Sequence, residues 1–364
     1  MSLGKATILF AGDFFAGSFA PSLAPDLASL FSGDAIVVVN VEGPITETPT
    51  PVSGKAAVLR TPPRNALLLE QMDTRIAVLA NNHIFDHGVE GFESTVAYLE
   101  RRGIVALGAG MDEDAAWRPH VVEAGGLRIG LLAVTSTQIQ SRPAGASAGC
   151  AVIENDRLTS AIRSLTARVD VVVVSVHWGL TNYHYPLPEH RALAHAIVDA
   201  GAKLVVGHHP HVVQGWERVG RAAILYSLGN FCFSIYDRNG VTTRLSRENR
   251  RGMLARIDLE ADGVARVELL PTVQLDEEGR VALAPPGAAQ RRVRLVERLS
   301  KPLARSGYDR TFRVYALCRL AVRASAWIDP RQWSQLSWAK VAAFMGAVRR
   351  IVRRKPKTPS DGSN

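Results

Sequence analysis

The sequence predicts an α/β fold in which strands alternating with helices are followed by antiparallel hairpins. Three observations predict it. Short apolar runs at 5–11, 35–39, 76–80, 171–176 and 204–206 are rich in β-branched residues and bounded by Gly, Asn or Pro, the mark of buried strands. Amphipathic helical segments with start and stop signals lie between several of them. Alternating runs at 253–259, 264–270 and 281–284 are joined by Asp262-Gly263 and Glu278-Gly279, which are hairpin signals.

The order begins strand, loop, strand. Residues 46–63, rich in Pro, Thr and Ser, read as a surface excursion, and 63–71 as a short helix. At 91–102, Phe92, Val96 and Leu99 share a helical face and Gly103 stops the helix. A strand is expected at 128–135. A helix follows at 156–167, with Leu158, Ile162 and Leu165 inward. The helix at 188–200 has Pro188 near its start and Gly201 at its end. The strand at 222–228 closes on Gly229-Asn230. Pro285-Pro286-Gly287 reads as a break. Residues 1–285 are thus expected as one domain, 290–355 as a basic helical extension and 356–364 as a disordered tail. In the last helix Val341, Phe344, Met345, Val348 and Val352 fall at helical spacing, with Arg349, Arg350, Arg353, Arg354 and Lys355 at its end.

With 364 residues, 47% of them hydrophobic, the chain can bury a sizeable core. Its charge is uneven. Residues 291–364 hold 18 Lys/Arg against 4 Asp/Glu, a net of +14, while 1–290 carry 25 against 30, a net of −5. The tail suits an anionic partner, polymer or membrane surface; a solvated helical face is the ordinary alternative. Nucleic acid is not expected, since the body is acidic and the tail has only Trp333 and Trp338 as interleaved aromatics. Cys150, Cys232 and Cys318 lack metal or disulfide spacing and read as free thiols. No signal peptide and no spanning helix is expected, so the expected location is cytoplasmic, peripheral to a membrane through the basic helix.

Each of the five runs stops at a residue able to hold a metal ion: Gly12-Asp13, Asn40-Val41-Glu42-Gly43, Asn81-Asn82-His83, His177-Trp178-Gly179 and Gly207-His208-His209-Pro210-His211. Ligands of open α/β sheets sit beyond the carboxyl ends of strands. The donor mix suits one or two divalent ions such as Mn, Fe or Zn. Asp13 and Glu42 offer carboxylates, the second placed to bridge two ions; Asn82 offers an amide oxygen; His177, His209 and His211 offer imidazoles. Residues two apart in an extended segment point the same way, so His209 and His211 are expected on one side. Two ions roughly 3.5–4 Å apart can clamp an oxyanion and generate hydroxide at neutral pH. His83 is then an acid or cation beside the metals, oriented by Asp86. Each residue alone has a plainer reading: a helix cap for Asp13, a turn for Asn81-Asn82, a packed core ring for His177. Five separate coincidences are harder to arrange. His87, His120, His184, His190 and His195 read as structural, the last two solvated or capping. No Gly-x-Ser-x-Gly, phosphate loop or dinucleotide fingerprint is present.

These segments, with Pro44-Ile45-Thr46 after Gly43, Asp86 and Gly88 after His83, Val212 after His211, and Tyr226-Ser227-Leu228-Gly229-Asn230-Phe231, run in order through residues 5–235. Together they resemble the CapA family of capsule and poly-γ-glutamate biosynthesis proteins, related to the calcineurin-like metallophosphatases. The resemblance implies a four-layer α/β/β/α sandwich of two mixed sheets. It implies metal ligation by Asp13, Glu42, Asn82, His177, His209 and His211, with His208 able to replace His209, and a proton role for His83 with Asp86. Asn40, Asn81, His208 and Asn230 are candidate substrate contacts. The sequence departs from the superfamily at Phe15, where a ligand histidine stands, and from the family at Thr181, Asn182 and Ser234. Two functions follow as expectations. One is a metal-dependent phosphoesterase-like hydrolase acting on a phosphate-bearing or polyanionic envelope precursor. The other is a non-catalytic module that binds an anionic polymer in a capsule assembly.

Overall fold

The structure is a computed structural model that describes residues 4–276 and 278–325. The strand Lys5–Phe15 lies inside a mixed sheet. It pairs in parallel with Ile36–Val41 and antiparallel with Arg251–Glu260, and its end pairs in parallel with Asn230–Phe233. Thr74–Val78 and Val105–Leu107 extend one wing in parallel, and the hairpin strands Gly263–Gln274 and Arg280–Leu283 extend the other. The second sheet runs Trp216–Val219, Ala222–Leu225, Leu204–His208, Val171–His177, Leu127–Thr135, His120–Ala124. Its inner pairings are parallel and its edge pairings antiparallel. The chain is therefore α/β with two mixed sheets.

Side-chain alternation sets what each face meets. Ile8, Phe10, Val38 and Ile76 share one buried cluster with Leu131, Val173 and Leu204 of the second sheet, so the sheets pack face to face. Leu9, Ala11, Val37 and Val39 point the other way and pack with Phe92 and Leu99 of the helix Gly88–Glu100. Each such buried aliphatic side chain contributes about 1.5–3 kcal/mol. The helices Asn155–Thr166 and Pro188–Asp199 pack on the strands of the second sheet. Pro188 occupies the first turn of its helix, and Gly201 reverses the chain after it at φ +120°, which only glycine adopts freely.

Three expectations change. The segment 46–63 is more than a surface excursion: Leu59 and Thr61 are buried, and Thr61 bridges Ile45. The break at Pro285–Gly287 is no boundary. Pro286 starts the helix Pro286–Ser300, whose Val296 and Leu299 are buried, and the first compact unit continues to Leu303. His190 is neither solvated nor a cap; it is buried with its ring stacked on Trp178 at 5.2 Å. The second unit begins at Ala304 and holds the helix Tyr308–Ser325. The basic helix at 341–352 and the tail 356–364 lie outside the described residues. Among the described residues no helix is long and apolar enough to cross a membrane.

One irregularity positions the site. Ala11 pairs with Val39 and Asp13 with Asn40, so Gly12 is an extra residue bulged out of the ladder. A one-residue slip reverses the alternation. Phe14 therefore joins Leu9 and Ala11 in the helix-side core, and Asp13 turns to the side that carries the second sheet's His208. A Cβ at Gly12 would lie 2.0 Å from the carbonyl oxygen of Gly229, the same oxygen that accepts the Asp13 N–H at 3.0 Å. Gly12→Ala is expected to lower stability by about 2 kcal/mol or more. Gly145→Ala, where a Cβ meets nothing within 4 Å, is expected to leave it unchanged. Thermal melts of the two variants check this.

Candidate metal centre

The site is built where the two sheets bring their parallel strand ends together. Asp13 comes from the bulged strand, and Glu42 directly follows Ile36–Val41. Asn82 and His83 follow Thr74–Val78 by a few residues. His177 is the last residue of its strand and His208 the last of the next, the two paired side by side. The chain then turns through His209 and His211, both left-handed at φ +95° and +57°. These two histidines are thus not on an extended segment, as the spacing suggested. The turn is strained for residues with a Cβ, and it sends each ring to a different carboxylate set.

Two groups of donors result. Asp13, Glu42 and His211 form one, and Glu42, His177 and His209 the other; within each group the ligand atoms lie within 4.8 Å of one another. Glu42 is common to both. Asn82 Oδ1 lies 3.0 Å from His177 Nε2, beside the second group. Every sequence-expected ligand is therefore gathered here.

The two carboxylates have opposite surroundings. Asp13 is fully buried, and its Oδ1 accepts from Asn40 Nδ2 at 2.9 Å and faces His208 Nδ1 at 3.1 Å. Its Oδ2 accepts the His209 N–H at 3.3 Å and lies 3.3 Å from His211 Nδ1. Burial pushes its pKa up, but His208 and His211 outweigh that and hold it well below the carboxylate range. Glu42 is equally buried, yet neither oxygen has a hydrogen-bond partner. The nearest imidazole nitrogens in ion-pair range are His211 Nε2 at 3.6 Å and His83 Nε2 at 3.9 Å. Burial pushes Glu42 up to about 8 against the pull of His211, with Asp13 and Asp86 adding repulsion.

The imidazoles divide likewise. Burial first, then the charge on His211, pushes His209 down to about 3. Burial also drives His177 well below its usual range, helped by His209. Both rings are thus neutral, the form that ligates metals, and Nδ1 of each is without a partner. His211 is opposed by burial, but Glu42 and Asp13 raise it to about 9. His83 holds Asp86 Oδ2 at 2.6 Å through Nδ1. Burial outweighs Asp86 and lowers the His83 pKa, so of the two expected forms, acid or cation, the ring is not a resting cation at pH 7.

The four expected substrate contacts are corrected by the geometry. Asn40 and His208 are buried and bond to Asp13. Asn81 Nδ2 donates to the Val41 carbonyl at 2.8 Å, and its Oδ1 accepts the His83 N–H at 3.1 Å. Asn230 Oδ1 meets His211 Nδ1 at 2.9 Å. All four are buried and bond to protein groups around the donor set. A cleft of about 350 Å³ opens instead over His83, His209 and His211, with Lys55, Tyr236 and Arg238 among its walls. Lys55 was not legible as a site residue. It reaches back from 46–63 to Asp86 Oδ1 at 2.5 Å and to the Asn82 carbonyl, and Asp86 Oδ2 accepts the Leu59 N–H at 2.7 Å. Phe15 packs with Leu59 and Phe233 as an apolar patch, and the Phe233 ring lies 4.9 Å from His211.

Comparison with known proteins places this geometry in a family. A family model described as bacterial capsule synthesis protein PGA_cap matches residues 7–235. The PGA biosynthesis protein CapA of Bacillus subtilis is 29% identical over 274 residues, covering 72% of this chain and 70% of that protein. The capsule biosynthesis protein CapA of Bacillus anthracis is 31% identical over 199 residues, or 53% of this chain and 46% of that protein. The chain thus spans about half the length of the second relative. Among solved structures, a putative 5'-nucleotidase from Staphylococcus aureus is similar at 15% identity and a TM-score of 0.48, covering 80% of this chain and 58% of that one. With a match that takes in the strand ends from Asp13 to Asn230, the chain belongs to the bacterial capsule synthesis protein PGA_cap family.

Proposed function

We propose that the chain is a metal-dependent, phosphoesterase-like hydrolase acting on a phosphate-bearing or polyanionic precursor in capsule or poly-γ-glutamate biosynthesis. One observation carries the reading: Glu42 is a fully buried carboxylate with no hydrogen-bond partner, shared by two sets of ligand atoms. A charge on a carboxylate buried this way is strongly unfavourable, and a divalent cation held beside it would stabilise the ionised form. The donors fit one or two such ions of the Mn, Fe or Zn kind. Asp13, Glu42 and His211 would hold one; Glu42, Asn82, His177 and His209 the other. A cation there supplies Lewis acidity toward an ester oxygen.

The chain's own residues supply the rest. Lys55 and Arg238 line the cleft and attract an anion into it. Lys55 and the Leu59 N–H fix the Asp86 carboxylate, and Asp86 fixes the His83 ring through Nδ1. His83, with Nδ1 committed to Asp86, lines the cleft. An anionic substrate beside it favours the imidazolium form, so the ring takes up a proton with the substrate and releases it to the leaving oxygen. The Lys/Arg excess of residues 291–364 adds long-range attraction for the same anionic partner.

Protein freed of metal and reloaded singly with Mn, Fe, Co or Zn is expected to hydrolyse an aryl phosphate with at least one of them. Glu42→Gln is expected to abolish metal-induced thermal stabilisation, which reaches about 2.7 kcal/mol at a hundredfold excess over Kd. No stabilisation and no hydrolysis with any ion would remove the proposal. Stabilisation without hydrolysis would leave the binding module, the reading that Phe15 at the position of a ligand histidine favours.

Protons and metal compete for the site. Glu42 is raised to about 8, and the Glu42 and Asp13 charges draw His211 up to about 9, so the pair retains protons at neutral pH that metal binding would release. Apparent affinity is expected to rise with pH until both groups are ionised or neutral, near pH 9. Calorimetry in buffers of different ionisation enthalpy reads the proton release directly. His83→Ala is expected to lower kcat by about 10²–10⁴ while leaving metal-induced stabilisation in place; a loss confined to KM would assign His83 to binding alone.

A further inference from the structure

Away from the cleft, arginines from two elements converge with one acid among them. Arg247 is exposed and Arg251 partly so, the latter opening the strand Arg251–Glu260. Arg291 is exposed on the helix Pro286–Ser300, and its neighbour Arg292 is buried. Glu248 Oε2 accepts from Arg292 Nη2 at 3.2 Å and lies 4.0 Å from Arg251 Nη1. That carboxylate is therefore committed to Arg292, with Arg251 at the edge of its reach. Neither Arg247 nor Arg291 makes an ion pair among the described residues. The crowding is close enough to act on Arg251, whose guanidinium is held below its ordinary range by partial burial first and then by Arg247, Arg292 and Arg291. A surface that concentrates like charge in this way is relieved by a multivalent anion.

The same segment is tied to the metal centre. Asn249 Nδ2 donates to the His211 carbonyl at 3.0 Å and to Asn182 Oδ1 at 2.7 Å. The Asn249 carbonyl accepts from Asn230 Nδ2 at 2.9 Å, and Asn230 in turn holds His211. Arg247 and Arg251 are thus two residues either side of a side chain that braces the candidate metal ligand His211.

We propose that Arg247, Arg251 and Arg291 form a docking surface for a linear polycarboxylate chain, outside the cleft but joined to His211 through Asn249. The polymer's identity rests on the function proposed above; the docking itself needs neither metal nor turnover. Guanidinium forks match carboxylates in a bidentate fashion. Nucleic acid fits less well. Residues 1–290 carry a net −5, and neither 244–251 nor Pro286–Ser300 contains an aromatic ring on which bases could stack.

The test uses the full chain, freed of metal, with fluorescently labelled poly-γ-glutamate followed by anisotropy. The double variant Arg247→Gln/Arg291→Gln, both at exposed positions, is expected to melt like the parent and to bind about tenfold more weakly at low ionic strength. The difference should shrink as salt is added, and Arg247→Lys/Arg291→Lys should recover part of the affinity. Unchanged binding in the glutamine pair would overturn the proposal. So would its loss only when Arg349, Arg350, Arg353 and Arg354 are neutralised, or equally tight binding of a single-stranded oligonucleotide. Because nothing is hydrolysed in this assay, its failure is distinct from failure of the catalytic reading.

Discussion

A carboxylate without hydrogen bonds, enclosed by protein, is the constraint on which this centre turns. Glu42 and Asp13 share a site and are equally buried, yet the donors are distributed to one of them. Asn40, His208, the His209 amide and His211 all address Asp13, while Glu42 meets only two imidazole nitrogens beyond hydrogen-bond range. Unequal environments of this kind separate two acids by several pKa units. Natural cores satisfy their buried polar groups, so an acid left bare where these strand ends meet is the observation on which the proposed cation rests. The neutral, unpartnered Nδ1 atoms of His177 and His209 extend the same logic to the nitrogen donors.

Holding that arrangement requires two departures from regular structure. The bulge at Gly12 reverses the facing of Asp13 without disturbing the strand before it, and the left-handed backbone at His209 and His211 splits adjacent rings between two ligand sets. Both are locally unfavourable and both are clamped by neighbours: the Gly229 carbonyl on Asp13 N–H, and Asn230 with Asn249 on His211. The asparagines and His208 are the inner frame of the site. Support of this type fixes ring orientation and ligand basicity, which is why polar residues at strand ends need not touch substrate.

The strands and their polar ends were legible because a buried parallel strand is apolar on both faces, and its polar terminus stands out against a run such as Val171–Val176. Hairpins after Arg251 were legible from Asp-Gly and Glu-Gly turns. What could not be read was direction. Asn40, Asn81, His208 and Asn230 are the right type at the right place for substrate, but register and bulges decide which way a side chain points. Lys55 was hidden for another reason. Its partner Asp86 is 31 positions away in sequence, and the Pro/Thr/Ser composition around it carries no periodic signal. Pro285-Pro286-Gly287 misled because proline both interrupts chains and starts helices; burial of Val296 and Leu299 decided between them.

Phe15 gives one side of the site its apolar character. The ring packs against Phe233 at 5.1 Å, and Phe233 stacks edge-on to His211 at 4.9 Å. Asp13, Glu42 and His211 are thus walled on one side by apolar rings. Attraction between a cation and the Asp13 and Glu42 carboxylates would grow as the local dielectric falls. The two groups are therefore unequal in kind: one flanked by apolar rings, the other by the Asn82 amide, and joined through the single carboxylate they share.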